Sequence, residues 1–295
     1  MFLRRVFPAV RPVDLLTFGF LAFLFAVTVY FIKQLPNAVF ILLMYIVLSA
    51  SLSLLIYFKE KNNNKIIRMT YDIVFPVITV FLIFDSLGGL IRYINPKTYD
   101  HLLIRMDYLL FGGYPTVALE SFTHPVITEL LQLAYASYYF LPVVLGAALK
   151  IKGKDGAFNK SLFFIILCFY LSYIGYILFP AIGPRYTMNH LQNIELHGIF
   201  LRDIIDNTLN ALEGTKRDAF PSGHTAVTLV VLYLAYRFQK PLYYIFLPAV
   251  LALLVSTVYL RYHYAVDVIG GVLLAVFTVY AGEKCYDCLS VRSSS

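Results

Sequence analysis

The chain has no tryptophan and only three cysteines, and charged residues fill only 14% of its 295 positions. Soluble domains carry about 25% charged residues, so charge cannot cover a water-facing surface here. That excludes a soluble enzyme, a nucleic-acid-binding module and a disordered tail as the main reading. Cys168 sits in an apolar run, while Cys285 and Cys288 sit in a short polar tail; three cysteines cannot build a disulfide framework. Without tryptophan, a membrane-interface belt has to be drawn largely from the 24 tyrosines.

Hydrocarbon is what the chain has in plenty. It is 60% hydrophobic, with a mean hydropathy of +0.73. Crossing ~30 Å of lipid takes about 20 apolar residues, and eight runs answer to that: 14–34, 38–58, 71–92, 127–149, 161–182, 221–238, 241–260 and 265–282. The expected fold is all-α, a polytopic integral membrane helical bundle of about eight spans. The first run has no small-residue cleavage site and is expected to stay as an anchor. Eight spans put both termini on one side, the side that carries 15 of the 24 Lys and Arg residues. By the positive-inside rule that side is cytoplasmic. The net charge of +7 is therefore loop charge that sets orientation, and no nucleic-acid partner is expected. The long loops 93–126 and 183–220 then face the periplasm, exterior or lumen. Within the first, Met106–Gly113 is apolar but too short to span, which suggests an interfacial or re-entrant helix.

Three polar groups fall at the ends of runs five, six and eight, and parity brings all three to one face. They are Gly183-Pro184-Arg185, Pro221-Ser222-Gly223-His224 and Arg261-Tyr262-His263-Tyr264-Ala265-Val266-Asp267. Proline suits the first position of a helix, whose opening amides lack intrahelical acceptors. With Gly223 allowing close approach, those amides, the Ser222 hydroxyl and His224 form a candidate anion site. His263 and Asp267 are four residues apart and share one helix face, where a carboxylate can orient an imidazole. Arg185 and Arg261 flank the histidines, and Lys216 and Arg217 lie just upstream of Pro221. A guanidinium fork matches phosphate oxygens, so the combination points to phosphate.

The run Lys216–His224, followed by Ser256-Thr257 and then His263 and Asp267, resembles the type-2 phosphatidic acid phosphatase superfamily. The stretches Phe179–Arg185, Asp107…Phe111-Gly112 and Val258–Tyr264 resemble the branch containing inositol phosphorylceramide synthases. A phosphatase-like core would cover about 161–282. The expected division is 1–126, N-terminal spans plus the interfacial segment 93–126, and 127–295, a membrane core with motifs at 183–224 and 256–267. Two phosphate-holding cations of the standard phosphatases are missing: Leu178 stands where a Lys is usual and Thr257 where an Arg is usual. Arg261, with Lys216 or Arg217, is the expected substitute.

The resemblance implies a lipid phosphatase or phosphotransferase whose partners are a lipid phosphate or phospholipid and the bilayer. His263 would attack phosphorus to give a phosphohistidine, with Asp267 orienting its ring. His224 would protonate the leaving oxygen and then activate water or an alcohol. Arg185, Arg261, Ser222 and the Gly223 amide would hold the phosphoryl oxygens. No metal or other cofactor is expected, since the sequence has no carboxylate cluster of the kind magnesium needs. The competing reading is a lipid-phosphate transporter or scramblase. It calls for polar residues at the bilayer midplane, where Asp85 and the serines of the second run are the few candidates.

Overall fold

The computed structural model describes residues 10–62, 64–212 and 217–294. In chain order its helices are α1 (Pro12–Tyr30), α2 (Ala38–Lys61), α3 (Lys65–Ile94), α4 (Asp100–Phe111), α5 (Pro125–Ala136), α6 (Leu141–Ile151), α7 (Asp155–Leu178), α8 (Arg202–Leu212), α9 (Gly223–Phe238), α10 (Lys240–Tyr259) and α11 (Ala265–Ser294). Among the described residues there is no strand; a lone bridge joins Ala181 and Asp218. The protein is an all-α multi-pass membrane bundle.

Among the described residues six helices (α1, α2, α3, α7, α10 and α11) are long and apolar enough to cross a membrane, and α5 with α6 makes a seventh, bent by 51°. The bend lies beside Pro142, which has no N–H to offer the preceding turn. The sixth expected run, 221–238, differs. It folds as α9, whose 16 residues rise about 24 Å, less than the ~30 Å of the hydrocarbon core. Its Val227, Val230, Val231 and Leu234 are buried at 1% exposure or less, so α9 meets protein along most of its length and need not match lipid. The last run also differs from expectation. Rather than stopping at 282, the helix continues to Ser294 and carries the exposed Cys285 and Cys288.

Ion pairs mark one end of the bundle. Arg11 donates to Asp72 at 2.8 Å, and Lys150 reaches the other Asp72 oxygen at 2.6 Å. On the same end Glu283 of α11 pairs with Lys160 and Arg237. The start of α1 and the later part of α11 therefore lie together. The loops 95–100, 180–185, 217–222 and 260–264 meet at the opposite end.

The short helix α4 is built inside out. Asp100, Leu103 and Asp107 are buried, while Leu109, Leu110 and Phe111 are 71%, 59% and 53% exposed. A helix that turns its apolar residues outward and its carboxylates inward suits the membrane boundary. The inward carboxylates have defined work. Asp107 accepts from the Ala265 and Val266 amides at 3.0 and 2.7 Å, capping the first turn of α11 from 158 residues away. Asp107→Ala should therefore lower stability by about 1–2 kcal/mol, the usual cost of a lost cap, in thermal unfolding of the detergent-solubilised protein. Leu109→Ala should change it by less than about 0.5 kcal/mol. Equal losses from both would contradict this role for α4.

Candidate active site

Backbone contacts hold the three motif segments together. The Arg185 amide donates to Arg261 O at 2.9 Å, Ala219 to Ala181 O at 3.0 Å, and Ser222 to Asp267 O at 3.1 Å. Helix α10 ends in a tight reversal in which the amides of Tyr262 and His263 both donate to Thr257 O. Arg261 takes the left-handed φ of 67° that this reversal requires, a conformation costing a non-glycine residue about 1–2 kcal/mol. Gly183 meets a double demand, with φ 99° and a position where a Cβ would lie 2.7 Å from Tyr262 O.

His263 is 4% exposed and Asp267 is fully buried. His263 Nδ1 lies 2.7 Å from the Ala219 carbonyl and 3.5 Å from Asp267 Oδ2. A carbonyl can only accept, so Nδ1 carries the proton and Nε2 keeps the lone pair. Asp267 Oδ2 also accepts from the Tyr264 amide at 2.8 Å. Burial pulls the His263 imidazole down, but the hydrogen bond and charge of Asp267, helped by Asp218 and Ala219 O, leave it above the ordinary histidine value. The second histidine is close, with 5.7 Å between the His224 and His263 rings. His224 is sandwiched between Tyr135 at 4.3 Å and Tyr138 at 4.1 Å. Tyr135 in turn stacks on Tyr262 at 4.4 Å.

The cations face different ways. Arg185 makes a two-pronged contact with Asp206 of α8, at 2.9 and 2.8 Å. Asp206 also accepts from the Tyr262 hydroxyl at 2.6 Å. Burial opposes ionisation of Asp206, but the Arg185 and Tyr262 hydrogen bonds win and hold its carboxyl below the ordinary range. Arg261 turns to Glu120 at 2.9 Å and to the Ile194 carbonyl at 2.6 Å. Arg217 donates to the Asn95 and Pro96 carbonyls, and Lys216 lies outside the described residues. Ser222 is fully buried and caps α9, its oxygen accepting from the Thr225 amide at 3.3 Å. Beside it Gly223 admits the Tyr176 hydroxyl, which a Cβ would meet at 2.2 Å. At the two missing-cation positions, Leu178 is 55% exposed and Thr257 fully buried.

Four carboxylates that sequence spacing did not single out as site residues hold these loops in place. Asp100 accepts from the Ile182 and Gly183 amides and the Tyr264 hydroxyl. Asp107 caps α11, and Glu120 binds Arg261 and the Asn193 amide. Glu129 gathers the amides of Ile199, Phe200, Leu201 and Arg202. The one advance signal was the stretch around Asp107. Asp206 and the tyrosine stack gave none. Among the described residues no group of three His, Cys, Asp or Glu side chains is placed to hold a metal ion.

The structure thus defines a membrane helical bundle with a buried His–Asp pair and a second histidine at one end. The chain belongs to the PAP2 superfamily, whose model matches residues 101–281. It is 26% identical over 226 residues to a PA-phosphatase related-family protein of Dictyostelium discoideum, across 64% of this chain and 40% of that one. It is also 26% identical over 226 residues to the inositol phosphorylceramide synthase of Candida albicans, across 71% of this chain and 47% of that one. The matched region thus spans less than half the length of either relative. No solved structure matches the chain.

The close approach at Gly183 can be tested directly. Gly183→Ala adds a Cβ against Tyr262 O in a left-handed backbone and should cost about 1–3 kcal/mol in thermal unfolding. A variant as stable as the parent would show that the two loops do not meet this tightly.

Proposed function

We propose that the protein is a lipid phosphatase or phosphotransferase working through a phosphohistidine on His263. The observation that carries this reading is the fixed tautomer: Ala219 O and Asp267 together hold Nδ1–H, leaving Nε2 as the nucleophile. Nε2 attacks phosphorus, an N–P bond forms, and the P–O bond to the leaving alcohol breaks. His224 gives that oxygen its proton. In the second step His224 takes a proton from water or an alcohol, which attacks phosphorus and releases His263. The Ser222 hydroxyl proton, the Gly223 amide and Arg185, whose fork turns from Asp206 to do so, hold the phosphoryl oxygens. Arg261 and Arg217 support the loops through Glu120 and the 95–96 carbonyls, and would reach phosphate only by leaving those partners. The chemistry calls on no metal.

In this reading the end of the bundle bearing Arg11, Lys150, Lys160 and Arg237 is cytoplasmic, and the histidines face the periplasm, exterior or lumen. Residues 127–295 supply the catalytic core, and 93–126 is the platform that positions it. The transport reading gains no support from its midplane candidates. Asp85 is exposed, and the Ser49 and Ser53 hydroxyls donate to carbonyls of their own helix.

The two named relatives point to hydrolysis and to transfer respectively, so the acceptor decides between them. Purified protein in detergent, given lipid phosphates and phosphoinositides with and without alcohol acceptors, separates the cases by mass spectrometry of products. Phosphate release regardless of acceptor indicates a phosphatase, and a new phosphorylated lipid appearing only with acceptor indicates a transferase. Neither product would overturn the proposal. His263→Ala should abolish both products, and Asp267→Asn should slow them about 10³–10⁴-fold, as loss of an orienting carboxylate does elsewhere. The pH profile has a defined sign. His263 must be neutral to attack and its pKa is raised, so kcat/KM should fall on acidification at a pH above about 6.5, the ordinary histidine value. Asp267→Asn should move that acid limb downward; an unmoved limb would assign it to another group.

A further inference from the structure

A narrow cleft begins beside His224 and Asp218 and runs between α3, the bent α5–α6 pair and α7 to Asp72 and Ser161. Its volume is about 130 Å³. On α7 it extends from Phe158 to Tyr176, about 27 Å at the rise of an α-helix, which makes it a slot and not a chamber. Between the two polar ends the lining is apolar, with Val80, Phe84, Ile166 and Phe169 along its length. Phe81 and Val143, which also line it, are 39% and 37% exposed, so the slot opens sideways toward lipid. The far end is closed by charge, because Asp72 is clamped between Arg11 and Lys150.

We propose that this slot takes one hydrocarbon chain of the lipid substrate and selects for its length; this rests on the lipid-phosphate reading above. The occupant follows from three properties. The slot is too thin for a protein helix of about 10 Å diameter, it is continuous with the bilayer, and its mouth is the ring of His224, so a chain inside it belongs to the molecule whose phosphate meets that histidine. Length selection follows from depth. A chain in one leaflet reaches about half of the ~30 Å hydrocarbon core, whereas the slot continues well past that level before meeting Ser161 and Asp72. Each further methylene that finds apolar wall there exchanges fluid lipid contacts for close-packed ones, until the charged floor ends the gain.

Two measurements on the full chain test this. The first compares kcat/KM for two lipid phosphates that differ only in chain length, one ending near the midplane and one half as long again, in the parent and in Ser161→Phe and Gly146→Leu. Both substitutions fill the deep end, away from the histidines. The parent should favour the longer chain, and each variant should cut the long-to-short ratio at least about threefold through lost packing contacts between chain and wall. An unchanged ratio, or equal loss on both chains, would overturn the slot. The second needs no turnover: a lipid phosphate bearing a photoreactive group at its chain terminus should label peptides containing Ile73, Gly146 or Ser161. Labelling confined to outward-facing residues would overturn the slot. Deep labelling without turnover of any lipid phosphate would retain the slot and reject the enzymatic reading.

Discussion

A fully buried carboxylate at the head of a membrane helix must be compensated, and the site is organised around that need at Asp267. One of its oxygens accepts from the Tyr264 amide and faces His263 Nδ1, while its backbone carbonyl accepts from Ser222. A single residue thereby ties the turn after α10, the start of α9 and the start of α11. The Ala219 carbonyl completes the arrangement by sharing the same imidazole proton. The tautomer of His263 is set by the contacts that close the bundle's end, so in the proposed mechanism catalysis and local folding draw on one set of hydrogen bonds.

The second constraint is that loops at a membrane boundary carry backbone amides that cannot be left unpaired where lipid or protein excludes water. The segment from Asp100 to Glu129 meets this with side chains. Its four carboxylates accept nine backbone amides from 182–183, 193, 199–202 and 265–266. That explains why α4 is inverted, with acids inward and leucines outward.

Much of this was legible in the sequence. Apolar run length located the spans, because crossing lipid is a demand on length and polarity that every helix meets alone. His263 and Asp267 were legible because their spacing is local, and His224 because Pro221 and Gly223 mark a helix start. Interactions between distant parts of the chain were not. Asp206 lies 21 residues from Arg185 and 56 from Tyr262, and no periodicity connects them. Arg217 and Arg261 are near the histidines in sequence, but proximity does not reveal that one side chain turns to the 95–96 carbonyls and the other to Glu120. The slot was invisible for the same reason: it exists because α5 and α6 bend apart from α3 and α7, and Pro142 was its one local sign.

The account's central claim is that phosphorus is held on His263 between the two steps. Turnover of a lipid phosphate, stopped rapidly at alkaline pH where an N–P bond to imidazole survives, allows the modified peptide to be mapped by mass spectrometry. The account predicts a phosphoryl or phosphoramidate-ester adduct on His263, lost in His263→Ala and, where an alcohol is the acceptor, accumulating when that alcohol is withheld. An adduct on His224, or turnover without any histidine adduct, would contradict it.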